Sequence, residues 1–100
     1  MPSRSKLTAE QIQDALAGLP GWTLADGKLH REYAFPDFTH AFGFMAAAAT
    51  RIEAMNHHPE WFNVYSKVIV DLHTHDVDGI TAFDVDLADR LEGIAAKLLA

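Results

Sequence analysis

The chain has 100 residues, room for one domain, and its 49% hydrophobic and 22% charged residues make a globular balance, not a disordered one. Fourteen acidic residues against eight basic ones give a net charge of -6, and no Lys/Arg cluster interrupts that balance, which argues against binding a nucleic-acid backbone. The absence of cysteine excludes disulfides and thiol chemistry, and the lack of a signal-peptide core or membrane-length apolar run points to a cytosolic protein with no membrane association.

Residues 1 to 6 are polar and expected to fray. Leu7, Thr8 and Gln11 then announce a helix: Thr8 caps it, Gln11 occupies the reciprocal capping position, and Leu7 can pack onto Ile12. Ile12, Ala15, Leu16 and Leu19 form its apolar stripe, and Gly18 and Pro20 end it. From Gly21 the pattern changes to WTLADGKLHREYAF, where Asp26-Gly27 separates Trp22 and Leu24 from the alternating Leu29, Arg31, Tyr33 and Phe35, a β-hairpin.

Pro36 and Asp37 open a longer helix whose periodic residues are Phe38, Ala41, Phe42, Met45, Ala48, Ala49, Ile52 and Met55. It must stop near His57, because the residue before Pro59 is pushed out of helical geometry. The stretch WFNVYSKVIVDLHT at 61–74 is rich in β-branched and aromatic residues; its pattern permits one long strand or two short ones turning near Ser66-Lys67. A last helix follows Thr81, with Asp84 at its third position and Phe83, Leu87, Leu91, Ile94 and Leu98 on its buried stripe. A half-apolar sheet with single-striped helices makes a two-layer α+β sandwich. The uncovered sheet face, where Phe35, Tyr65 and Ile69 are expected, is a natural place for subunits to meet.

Four of the six histidines fall between positions 57 and 75. Imidazole both gives and takes a proton near neutral pH, so this cluster is the candidate for chemistry. Glu53, one helical turn before His57, is placed to orient that ring, while Pro59 sends His58 elsewhere, so that the pair brackets a space. His75 stands where the strand gives way to the Asp76-Val77-Asp78-Gly79 turn and the start of the last helix, whose first backbone N–H groups lie near Asp84. Set against this is a plain reading in which His57 and His58 are structural or solvent-exposed. His73 reads as a strand residue with no chemical task, and His30 and His40 as exposed surface. A zinc site fits poorly, because no histidine pair has helical ligand spacing and adjacent histidines seldom converge on one ion. The D-x-D-G segment lacks the later ligands of a calcium loop.

Taken together, E-x-x-x-H-H-P-E-W-x-x-V-Y-x-K at 53–67, T-H-D at 74–76 and Asp84 resemble the pterin-4a-carbinolamine dehydratases. So do Gly21-Trp22 and the F-x-D-F-x-x-A-F-G-F-M stretch at 35–45, and the likeness runs over nearly the whole chain. It implies one domain over 1–100 in the order αββαββα, a four-stranded antiparallel sheet with three helices on one face, and a turn near Ser66-Lys67. The implied activity is a hydro-lyase reaction: dehydration of 4a-hydroxytetrahydrobiopterin to quinonoid dihydropterin, which recycles the pterin of aromatic amino acid hydroxylases. No metal or organic cofactor is implied, and a homodimer or homotetramer is. Carried over residue by residue, His57, His58 and His75 are catalytic, and Glu53 and Asp84 are their acidic supports. The segments His57, His58, Pro59 and Thr74, His75, Asp76, Val77 hold the substrate. Two departures stand out: His73 replaces a small hydroxyl residue common in relatives, and Asp76 a frequent Glu. The alternative is a non-catalytic binding or dimerisation module of the same fold, since some animal relatives also bind a transcription factor.

Overall fold

The computed structural model describes residues 5–99. Its elements are α1 (Ala9–Ala17), β1 (Thr23–Ala25), β2 (Lys28–Ala34), α2 (Phe38–Met55), β3 (Glu60–Val64), β4 (Lys67–Leu72), a 3-10 turn (His75–Val77) and α3 (Ala82–Leu99). The strands form one antiparallel sheet in the order β1-β2-β4-β3. Three helices and four strands in the order αββαββα make the α+β sandwich that the sequence implies.

The capping box of α1 forms as its residues dictate: Gln11 N donates to Thr8 Oγ1 at 3.1 Å and Thr8 N to Gln11 Oε1 at 2.9 Å. Of the segment expected to fray, residues 1–4 lie outside the described residues. Lys6 lays its aliphatic stem against Gly79, and Leu7 N donates to Ile80 O, so this stretch is tied to the head of α3.

Two hairpins build the sheet. Asp26 and Gly27 both take positive φ, 52° and 75°, the geometry that lets a two-residue turn follow the twist of its strands. The second hairpin turns at Tyr65-Ser66, where Tyr65 has φ 51° and Asn63 Nδ2 donates to both Tyr65 O and Lys67 O. Residues 60–72 are therefore two strands, and the reversal comes one residue before Ser66-Lys67, because Lys67 already pairs with Val64.

In the register Leu29↔Leu72, Arg31↔Val70, Tyr33↔Val68, the alternation buries Leu29, Tyr33, Val68, Val70 and Leu72 on one face. The opposite face carries Lys28, His30, Glu32, Asp71 and Glu60, with Phe62, Val64 and Ile69 among them. Phe35 does not lie on that open face: it is buried, and its ring packs 5.2 Å from Phe44 and 5.7 Å from Tyr33. The same cluster corrects the stripe of α2. Ala41, Phe44, Ala48 and Ile52 are its buried residues, whereas Phe38 and Phe42 stack on each other at 5.7 Å in the open. Two apolar rows share this helix, and the aromatic partners at the end of β2 decide which one turns inward.

A polar joint ties β1 and β2 to α3. Glu92 Oε1 accepts from Trp22 Nε1 at 2.8 Å, Tyr33 Oη at 2.6 Å and Arg31 Nε at 3.3 Å. The guanidinium also lies 4.3 Å over the Tyr33 ring and against Gly21, whose φ of 90° suits glycine. Burial first, and the Glu92 carboxylate second, push the Tyr33 hydroxyl well above the ordinary phenol range. Glu92→Ala strips three donors of their acceptor, and is expected to lower the unfolding free energy by about 2 kcal/mol in urea titration.

His30 and His40 are half-buried and paired, not free surface groups. His40 Nδ1 lies 2.6 Å from the Asp37 carboxylate, and His30 lies between Asp71 at 2.7 Å and Glu32 at 3.0 Å. The bond to Glu32, then that to Asp71, raises the pKa of His30. A group raised on folding stabilises most below its unfolded pKa, roughly 6.5 for histidine, and that contribution is lost as pH rises through the higher folded value. Stability measured from pH 6 to 8 is expected to fall more steeply for the wild type than for His30→Ala.

Candidate active site

Chain reversals at two helix ends gather the histidines. Asn56, left-handed at φ 50° and ψ 43°, closes α2: its N–H meets Glu53 O while His57 N–H reaches back to Ile52 O. That pair of bonds is the Schellman arrangement, and it folds His57 back beneath the helix. Pro59 then prevents helix from resuming and β3 begins. Across the sheet, β4 ends at Leu72; Thr74 pairs with Gly79 as an isolated bridge, and the intervening 3-10 turn begins with His75.

Asp84 anchors these segments from below and is wholly buried. Its Oδ1 lies 2.6 Å from His57 Nε2, while Oδ2 accepts from Thr74 Oγ1 at 2.7 Å and from Thr81 N at 2.9 Å. Thr81 Oγ1 in turn accepts from Phe83 N and lies 2.8 Å from Thr74 Oγ1. The N–H groups near Asp84, expected to be open, have partners: Phe83 N donates to the Thr81 hydroxyl, Asp84 N to Thr81 O, and Thr81 N, just before the helix, to the Asp84 carboxylate. A carboxylate at Nε2 favours the proton on that nitrogen, leaving Nδ1 of a neutral His57 as the one able to accept.

Above this network lies a hollow of about 270 Å³ lined by Asn56, His57, His58, His73, Thr74, His75 and Asp76. His57, His58, Thr74, His75 and Asp76, all named from the sequence, meet here. Pro59 instead lines an adjoining hollow of about 170 Å³ with Glu53 and His58, and Val77 borders neither. A larger hollow of about 470 Å³ between α1 and α3 is lined by Leu7, Leu19, Val85 and two aspartates, and holds no imidazole. Chemistry, not size, selects the histidine site.

The expected pairing of Glu53 with His57 does not form. The reversal at Asn56 carries His57 away from the helix face, and Glu53 Oε1 lies 3.5 Å from His58 Nε2 in an exposed pair. Asp84 takes the place expected of Glu53. Three further residues were not assigned to the site from the sequence. Glu60 Oε2 lies 3.6 Å from His75 Nε2, and Asn56 and His73 line the hollow. The hydrogen bond from Lys28, with the charges of Lys28, His75 and His73 behind it, holds the Glu60 carboxyl below its usual range. The strand period could have found Glu60, since its register partner Asp71 sits two residues before His73. Among the described residues, no three His, Asp or Glu side chains converge as a metal-ligand set.

The family model for pterin 4 alpha carbinolamine dehydratase matches residues 5–94. The chain belongs to this family. A Solibacter usitatus (strain Ellin6076) protein provisionally named pterin-4-alpha-carbinolamine dehydratase is 59% identical over 92 residues, covering 92% of this chain and 97% of its own. One of the same provisional name from Prochlorococcus marinus (strain MIT 9303) is 53% identical over 85 residues, 85% of this chain and 88% of its own. A crystal structure described as a transcriptional coactivator/pterin dehydratase from Brucella melitensis superposes with a TM-score of 0.88 at 44% identity, over 91% of this chain and 99% of that one. No described helix of this family member is long and apolar enough to cross a membrane.

Asp84→Ala would leave Thr74 Oγ1, Thr81 N and His57 without their shared acceptor in a buried setting. The expected loss is about 3 kcal/mol of unfolding free energy, against which an exposed-site control such as Glu53→Ala should cost under about 0.5 kcal/mol in the same denaturant series.

Proposed function

We propose that this protein is a 4a-hydroxytetrahydropterin dehydratase that works by histidine acid–base catalysis. The reaction breaks the C4a–O bond. One group delivers a proton to the departing hydroxyl, which leaves as water, and another takes the proton from N5, whose electron pair closes the N5=C4a double bond of the quinonoid product. Proton donor and acceptor must therefore stand on either side of one flat ring, both active near neutral pH. The observation that carries the reading is the single hollow bordered by His57, His58 and His75, each ring faced by its own carboxylate. Family membership supports the substrate class.

In this reading His57 is the fixed member, held from behind by Asp84. His58 and His75, with side chains 59% and 70% exposed, can exchange protons with solvent between turnovers. The backbone and side chains of His57, His58, Thr74, His75 and Asp76 grip the ring, with Pro59 and Val77 shaping the two segments behind them. The reaction implies recycling of a pterin that a hydroxylase has converted to its carbinolamine.

We further read the protein as a homo-oligomer. β3 is an edge strand with free backbone groups, and its open face shows Phe62, exposed by 60%, and Val64, next to Tyr65 at the turn. A two-fold pairing of β3 with the same strand of a second copy satisfies those groups and covers the apolar side chains.

Purified protein mixed with enzymatically generated 4a-hydroxytetrahydropterin should speed loss of the carbinolamine absorbance over buffer. His57→Ala, His58→Ala and His75→Ala should each lose on the order of 10²-fold or more in kcat, the usual weight of one acid–base group. Wild-type protein no faster than buffer would sink the reading.

A further inference from the structure

His73 is absorbed neither by the fold nor by the acid–base scheme. It follows the last residue of β4, its side chain is only 12% exposed, and its Nδ1 is a buried polar atom with no hydrogen-bond partner among the described residues. Its Nε2 lies 3.3 Å from Oδ1 of Asp78, a left-handed residue of the turn that follows. Its ring stands edge-to-face with that of His75, centroids 4.9 Å apart and planes at 76°.

His75 needs such a neighbour. At the start of a three-residue turn, with its side chain 70% exposed, it has little packing to select one rotamer. The Glu60 carboxylate at 3.6 Å is itself exposed and shared with Lys28, and exposed ion pairs fix geometry weakly. The half-sunken His73 ring is the rigid surface in contact with it. An aromatic edge-to-face contact contributes about 0.5–1.5 kcal/mol, enough to favour one rotamer over its alternatives by several-fold. We propose that His73 is a positioning residue that holds the His75 imidazole in the orientation the reaction uses, by ring contact and not by proton transfer. The kinetic side of this proposal rests on the dehydratase reading; the structural side does not.

The groups facing the pair are Asp76 and Asp78 on its own turn, Glu60 on β3, and His57 and His58 from the end of α2. The ring that packs against His75 is that of His73. An aromatic ring at position 73 should therefore suffice, whether or not it carries nitrogen.

The test compares His73→Ala with His73→Phe in two measurements. In the dehydration assay, His73→Ala should lower kcat about tenfold while KM moves less than about twofold, the signature of a misplaced group in a site that still binds, and His73→Phe should recover most of that loss. Three-bond NMR couplings about χ1 of His75 should report one rotamer in the wild type and in His73→Phe, and an average in His73→Ala. The couplings need no turnover, so an inactive wild type would end the dehydratase reading while this arm still decides the positioning role. Unchanged His75 couplings in His73→Ala would overturn the proposal. So would a folded His73→Phe as impaired as His73→Ala, since the imidazole itself would then be what matters. If His73→Phe does not fold, the couplings of His73→Ala decide.

Discussion

The buried carboxylate of Asp84 is the constraint on which site and fold both depend. A carboxylate removed from water is tolerated only when its lone pairs are matched by donors. Here the donors come from three separate places: the segment after α2, the loop after β4 and the first residue before α3. The charge is satisfied only when those three segments meet, so the geometry that stabilises the core is the geometry that assembles the site. Helix cap, loop tether and imidazole partner are one ion, and none of the three roles can be altered alone.

The layout grades the imidazoles by depth. His57, buried with Asp84 behind it at 2.6 Å, sits in a setting of low polarisability where one hydrogen bond orients the ring and favours one tautomer. His58 and His75 meet Glu53 and Glu60 at 3.5 and 3.6 Å in the presence of water, where attraction is screened and the rings stay in contact with bulk protons. The proposed dehydration, which gives one proton and takes another, makes use of that difference. In that proposal one ring keeps its place and the others refill.

Much of this was readable because the signals are local. The capping box at Thr8 and Gln11, the Asp26-Gly27 turn, the stop imposed by Pro59 and the helix start at Thr81 each follow from a few neighbouring residues. The three catalytic candidates could likewise be named, since adjacent histidines before proline and a Thr-His pair after a strand are unusual and carry the family likeness. What escaped was decided across the chain. Both Phe42 and Phe44 fit a helical period, and only the rings of Phe35 and Tyr33, brought up by β2, bury Phe44. Glu53 and His57 are one turn apart in sequence, but a single left-handed Asn56 separates them. Glu60 faces His75 because β3 and β4 lie side by side, a proximity that follows only once the turn between them, and with it the register, is placed.

The joint at Glu92 has a consequence for how the molecule comes into being. Its acceptor lies 70 residues beyond Trp22, 61 beyond Arg31 and 59 beyond Tyr33. Until α3 has been made, the β1–β2 region holds its indole and phenol without their acceptor, and the inner face of the sheet lacks the cover of that helix. Only the emergence of α3 brings in Glu92, and with it Asp84 for the imidazole side. The β1–β2 region therefore completes its folding only with a segment made some sixty to seventy residues later, and until then its indole and phenol wait without their acceptor.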